Sequence, residues 1–220
     1  MQYGTKKIKD VRFGSKNVVK AYYGSKLVWE KEKQIISPIL PDDVVDLGLP
    51  SGTLWCTHNV GVNNPINIED YVGNLYPWGS VNTDGTYLED YDDISGNLEY
   101  DAATKILGNS YKTPTAEDYE ELLNNTTFET ITDYNNISGL KALKFTGRNG
   151  NYLFMPYYQK YLTRVGRYLW TSQQIPDNTT NVKVFDCFSS SITITVKYNF
   201  TPSNIVKNPI RPVYKPEGAE

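Results

Sequence analysis

Cys56, His58 and Cys187 are the side chains of this chain best suited to nucleophilic or metal chemistry, and their spacing serves neither. The cysteines lie far apart with no Cys-x-x-Cys pair, and the single histidine leaves no room for a histidine-based metal site or for any Ser-His-Asp relay beyond His58 itself. They read as two buried thiols and a loop or core histidine beside Asn59. Carboxylates are denser at Glu89-Asp90-Tyr91-Asp92-Asp93. A hard cation needs several convergent oxygens, and an acidic run is ordinarily a solvated loop. A third chemistry comes from 18 Tyr and 4 Trp. Such rings stack on a ligand face while their polar tips bond its rim, which is the chemistry of binding surfaces.

The elements that must carry these residues begin with a repeat. Tyr3-Gly4-Thr5-Lys6, Phe13-Gly14-Ser15-Lys16 and Tyr23-Gly24-Ser25-Lys26 recur with a period of ten. Glycine supplies the positive φ of a tight reversal and the hydroxyl bonds its own turn, so each tetrad predicts a turn. The runs between them, Lys7 to Phe13 and Asn17 to Tyr23, have strand length. An even period keeps Val11, Phe13, Val19, Ala21, Tyr23, Leu27 and Trp29 on one face of the resulting meander. That small apolar face needs a partner, and Phe13, Tyr23 and Trp29 are its candidate attachment or oligomerisation residues. Residues 1–33 also hold nine Lys and Arg against three Asp and Glu, whereas the remainder holds 13 against 22. The basic segment is therefore expected to dock on an acidic surface. Its cations are spread along the repeat rather than massed, which argues against nucleic acid.

Residues 34–43, marked by Ser37-Pro38 and Pro41-Asp42-Asp43, read as a linker, and residues 215–220 as a tail. With 21% charged and 39% hydrophobic residues, the chain is globular. No stretch approaches the ~20 apolar residues of a membrane span. The first residues lack the apolar core of a secretory signal, which predicts a protein made and kept in a cytoplasm. Thr115 with Asp118 forms a capping box that opens a helix carrying Tyr119, Leu122 and Leu123 inward and ending at Asn124-Asn125. A second helix is predicted from Tyr100 to Leu107, with Ala102, Ala103 and Ile106 inward and Gly108 as its stop. Strands follow at Tyr152 to Met155, Tyr168 to Ser172, Val182 to Phe188, Ser191 to Tyr198 and Ile210 to Tyr214, with Asn181–Phe188 and Ser191–Tyr198 pairing as a hairpin.

An ordered series of motifs runs through this second part. It opens with Val45-Asp46-Leu47-Gly48-Leu49-Pro50-Ser51-Gly52-Thr53-Leu54-Trp55 and continues through Asn59-Val60-Gly61, Tyr76-Pro77-Trp78-Gly79 and Tyr100-Asp101-Ala102-Ala103. Thr113-Pro114-Thr115, Thr146-Gly147-Arg148-Asn149-Gly150-Asn151, Met155-Pro156, Tyr168-Leu169-Trp170-Thr171-Ser172 and Arg211-Pro212-Val213 complete it. The series resembles a C-type-lectin-like domain of gut-bacterial surface and phage proteins, in the group that contains the formylglycine-generating enzymes. It covers residues 44–214. The resemblance implies an α+β fold: a C-type-lectin-like domain of mixed, twisted antiparallel sheets, about two helices and long loops, preceded here by the β-meander. Trp55, Trp78 and Trp170 are then large core anchors, and Arg211 is placed to pair with a buried carboxylate or carbonyl. Members usually have Trp-Arg-Met-Pro-Thr where this chain has Tyr111-Lys112-Thr113-Pro114-Thr115, a change of local packing.

The resemblance is specific to fold and much less so to function. Cys56 and Cys187 fall in no copper motif of the enzymes, so no enzymatic activity and no cofactor is expected. Gln174-Ile175-Pro176-Asp177-Asn178 is similar to the loop of calcium-dependent sugar lectins but has an insertion, and no Trp-Asn-Asp follows. Asp90, Asp92, Asp93 and Asp177 are thus weak calcium candidates, and calcium-independent binding is expected from a loop-built surface. Tyr87, Tyr91, Tyr157, Tyr158 and Tyr161, placed in long loops, are its candidate residues. The repeat is similar to N-terminal segments that anchor an outer domain to phage particles. Together these features predict a non-enzymatic virion structural protein, a head fibre, tail fibre or capsid decoration assembled in the host cytoplasm. It would be a homotrimer, joined to other virion proteins through the basic segment, and would display its domain to a host glycan or surface protein. The alternative is a bacterial cell-surface adhesin domain that lost its export signal.

Overall fold

The computed structural model describes residues 41–160, 163–175, 178–187, 195–201 and 206–216, the six strands between residues 2 and 30, and the backbone alone in those strands and at 159–160, 163–165, 178–180 and 195–200. The chain divides into two compact units, Met1–Leu40 and Pro41–Glu220.

In the first unit each repeat makes its own hairpin. Strand β1 (Gln2–Tyr3) pairs with β2 (Lys6–Lys7), β3 (Val11–Phe13) with β4 (Lys16–Val18), and β5 (Lys20–Tyr23) with β6 (Lys26–Glu30). The ladders close at Tyr3↔Lys6, Phe13↔Lys16 and Tyr23↔Lys26, leaving two-residue connections. Gly-Thr and Gly-Ser suit that length, because a two-residue hairpin favours glycine first. The expected continuous meander is replaced, among the described residues, by three separate two-stranded sheets. Lys6–Lys7 and Val11–Phe13 thus belong to different hairpins, as do Lys16–Val18 and Lys20–Tyr23.

The second unit runs through β7 (Val44–Val45), β8 (Leu54–Cys56), α1 (Ala102–Leu107), β9 (Tyr111–Lys112) and α2 (Ala116–Asn125). It continues with β10 (Thr126–Ile131), β11 (Leu140–Gly147), β12 (Tyr152–Lys160), β13 (Thr163–Val165), β14 (Tyr168–Ile175), β15 (Asn178–Asp186), β16 (Thr195–Phe200) and β17 (Val213–Tyr214). Three antiparallel sheets result, ordered β7-β8-β17-β9, β10-β11-β12-β13 and β14-β15-β16. The architecture is α+β. Pro41 to Asp43 belong to this unit rather than to a linker, since the Thr57 amide donates to the Asp43 carbonyl (2.7 Å) and the Tyr111 hydroxyl to its Oδ1 (2.9 Å).

Both predicted helices form. Thr115 and Asp118 close a capping box on α2, and Tyr119 and Leu122 are buried while Leu123 is half-buried. Asp101 caps α1 and is itself fully buried. Its carboxylate accepts from the amides of Gly96, Ala103 and Thr113 and from the hydroxyls of Thr104 and Thr113, at 2.6–3.0 Å. Thr113 makes two of these bonds, one from its amide and one from its hydroxyl. Ile106 is not inward: it is 49% exposed, because the six-residue helix buries only its first turn.

Two large clusters and a small third one make up the described core. Trp55, Tyr119, Leu122, Leu143, Phe145, Met155, Phe185 and Val213 form one. Trp78, Trp170, Tyr76, Ala102, Val184 and Ile210 form the other. Two tryptophans lock the second reciprocally: Trp78 Nε1 donates to the Thr171 carbonyl (2.9 Å) and Trp170 Nε1 to the Tyr76 carbonyl (2.7 Å). Arg211 is fully buried and donates from Nη1 to the Cys56 carbonyl at 3.0 Å, the carbonyl option of the expectation. Loss of water lowers its pKa from the ordinary guanidinium value to about 10.

Candidate functional site

Side chains alternate across a strand, so β12 presents two different surfaces. Leu153, Met155 and Tyr157 face the first core cluster with Leu143 and Phe145 of β11. Tyr152, Phe154, Pro156 and Tyr158 take the other side. There Val72, Leu140 and Tyr158 make a small third cluster, edged by Ile68, Tyr71, Tyr134 and Ile137, that covers one end of the sheet. The end carrying Tyr152 and Phe154 stays open.

On this open face, register sets neighbours side by side. Thr127, Thr146 and Tyr152 form one cross-strand row, and Glu129, Lys144 and Phe154 the next. Directly opposed Cβ atoms lie about 4.5–5.5 Å apart, so each row is a contact row. The rings form a line: Tyr152 to Phe154 at 5.3 Å, Phe154 to Tyr134 at 4.8 Å and Tyr134 to Tyr71 at 6.0 Å between centroids. Tyr152 is the outermost, 53% exposed. Lys144 Nζ lies 5.3 Å from its ring centre and 3.1 Å from Glu129 Oε1, which fixes the ring from one side and balances the lysine's charge. Next to the threonine row lies a shallow pocket of about 300 Å³, lined by Asn124 and Asn125 at the end of α2, Thr126, Thr127, Thr146 and Arg148. Gly147 brings the pocket wall against the β7–β8 connection. A Cβ there would lie 2.1 Å from the Leu47 carbonyl oxygen, so only glycine fits.

Sequence reasoning placed the site elsewhere. Tyr157 and Tyr158, expected in a long loop, lie in β12 and are each 6% exposed. Adjacent residues point to opposite faces, and at this end of the strand both faces are covered. Tyr91 is half-buried against the second core cluster; its hydroxyl accepts from Asn97 Nδ2 at 2.8 Å and its amide donates to Gln174 Oε1 at 2.9 Å. Tyr87 is half-exposed with its hydroxyl on Glu89 Oε1. Tyr161 lies outside the described residues, as do the side chains of Phe13, Tyr23 and Trp29, although all three fall in hairpin strands. The signal that would have found Tyr152 and Phe154 was the alternation Tyr152-Leu153-Phe154-Met155 beside a polar turn.

The other chemistries fare as follows. Among the described residues no three His, Cys, Asp or Glu side chains converge. Asp93 Oδ1 instead accepts from the Ser95 amide at 2.8 Å, the backbones of Asp92 and Asp93 bind the Gln173–Gln174 segment, and Asp177 lies outside the described residues. Both thiols are buried and unpaired, and loss of water raises the Cys56 thiol to about 12 and Cys187 higher still. Neither is a ready thiolate, the form that attacks or binds metal. His58 is exposed, with Nδ1 at 2.9 Å from the Thr57 hydroxyl. Among the described residues no helix is long and apolar enough to cross a membrane.

No family model matches this chain, and neither a curated protein nor a solved structure matches it.

Proposed function

We propose that this chain is a non-enzymatic bacteriophage virion structural protein, a head fibre, tail fibre or capsid decoration, whose C-type-lectin-like domain is displayed to bind a host surface or glycan. The observation that carries the reading is the division into a basic unit of three repeated hairpins and a larger loop-rich α+β unit with an open aromatic face. A two-stranded hairpin is marginal alone, which supports a role for the repeat in assembly, with a second copy or another virion protein supplying the missing surface. A braced, polar-tipped ring beside hydroxyls and amides is the chemistry of sugar recognition, which supports the outward role of the larger unit.

The test is the solution mass of the full chain, by sedimentation equilibrium, beside a version beginning at Gln34. A trimeric full chain and a monomeric shorter one support the fibre reading. If the full chain is a stable monomer, the homotrimer is wrong, and the adhesin alternative gains unless the repeat captures a virion protein.

A further inference from the structure

The open face and the pocket beside it are one continuous surface, because Thr146 lines the pocket and is also the cross-strand partner of Tyr152. The pocket is rich in donors: Thr127, Thr146, Asn124 and Arg148 spend no side-chain hydrogen bond on another described residue. Their neighbours Asn125 and Thr126 are already committed to the Glu121 and Leu122 carbonyls at the end of α2. No acidic side chain lines the pocket, and Arg148 has no ion pair among the described residues. Lys144, one row away, is already balanced by Glu129. The surface therefore offers a ring platform, a cluster of hydroxyls and amides, and one uncompensated guanidinium. A guanidinium of this kind takes a carboxylate in a bidentate pair. A protein partner would want a contiguous apolar patch, whereas here the one widely exposed ring is flanked by polar groups.

We infer that this surface binds a uronic-acid-containing polysaccharide, one sugar stacking on Tyr152 and its neighbour placing a carboxylate on Arg148 within the threonine-lined pocket. The inference rests on the reading that the larger unit binds a host surface, and it names the ligand class and the residues. The ligand spans at least two sugars, one on the Tyr152 ring and the next in the pocket that Arg148 lines.

Affinity electrophoresis of the full chain through gels containing polygalacturonate, or dextran as the neutral control, tests it. The wild type is expected to be retarded by polygalacturonate and far less by dextran. Arg148→Gln, at an exposed position, is expected to erase that preference through a loss of roughly tenfold or more on the acidic polymer. Tyr152→Ala, also exposed, is expected to weaken binding to polygalacturonate by roughly tenfold while leaving the circular dichroism spectrum unchanged. Retardation that survives both substitutions belongs to the basic residues 1–33 and overturns the inference, as does a wild type that ignores polygalacturonate. A trimer that fails this assay leaves the fibre reading standing without this ligand. A monomer that passes it does the reverse.

Discussion

Burial decides what the two thiols can do. Desolvation is the first cause of the rise at both, with Asp43 adding to it at Cys56 and Asp186 at Cys187, and Arg211 offsets part of each. A thiol held at about 12 is almost wholly protonated at pH 8. Ellman's reagent is therefore expected to find no fast-reacting cysteine in the native chain and two after guanidinium denaturation. A fast native thiol would reopen the catalytic or metal chemistry set aside above. His58 supplies the complementary case. Desolvation, then the nearby Arg211, lowers its pKa from the ordinary 6.5. The unfolded chain consequently binds this proton at a higher pH than the folded one does, so stability falls as pH drops through 6.5 toward the folded value. Because it is the only histidine, His58→Gln is expected to flatten the change in urea midpoint between pH 7 and 5.5. An unchanged slope in the variant would assign the effect to other groups. The side chain is largely exposed, so the effect is small, but its sign is fixed.

At the scale of elements, β11 ends where it does because the chain must pass close to Leu47. Gly147→Ala would force the strand end or the β7–β8 connection apart, at a cost of roughly 1–3 kcal/mol. A matching fall in the urea midpoint is the expected result, and a variant as stable as the parent would show that the contact relaxes freely. The same region marks where sequence reasoning stopped. The capping box, the buried tryptophans and the C-terminal arginine were legible because each depends on a few residues and a local rule. Strand β12 was legible only to Met155, because Pro156 lacks an amide donor and is rare inside a sheet. The strand nevertheless runs on, with Pro156 opposite Ala142. Strands β10 and β11 were missed. Thr126 follows helix α2 with no intervening turn signal, and its hydroxyl caps the helix by bonding the Leu122 carbonyl. Without β10 and β11 the rows that join Thr127, Thr146 and Tyr152 cannot be drawn. The candidate surface was therefore invisible although every one of its residues was in plain view. That Tyr158 is covered depends on Val72 and Leu140, which no local pattern brings to it.

For the whole molecule, the described core clusters draw only on residues of the larger unit. The version beginning at Gln34 is accordingly expected to melt cooperatively, within a few degrees of the main transition of the full chain. A collapse of that transition would mean that the repeat completes the fold instead of serving assembly. The reciprocal tryptophan bonds have a further meaning for how such a domain can change over generations. Trp78 and Trp170 fasten the segment 76–78 to the segment 170–171 from both sides, so the scaffold is closed independently of the chain that travels between them. Lengthening a surface loop adds little closure entropy. Insertions in the exposed parts of the loops leaving this clasp, such as at Asn82 to Asp84, are therefore cheap to accept. The clasp makes the domain evolvable at its rim: new surfaces can be tried in the loops while the frame that presents Tyr152 and Arg148 stays unaltered.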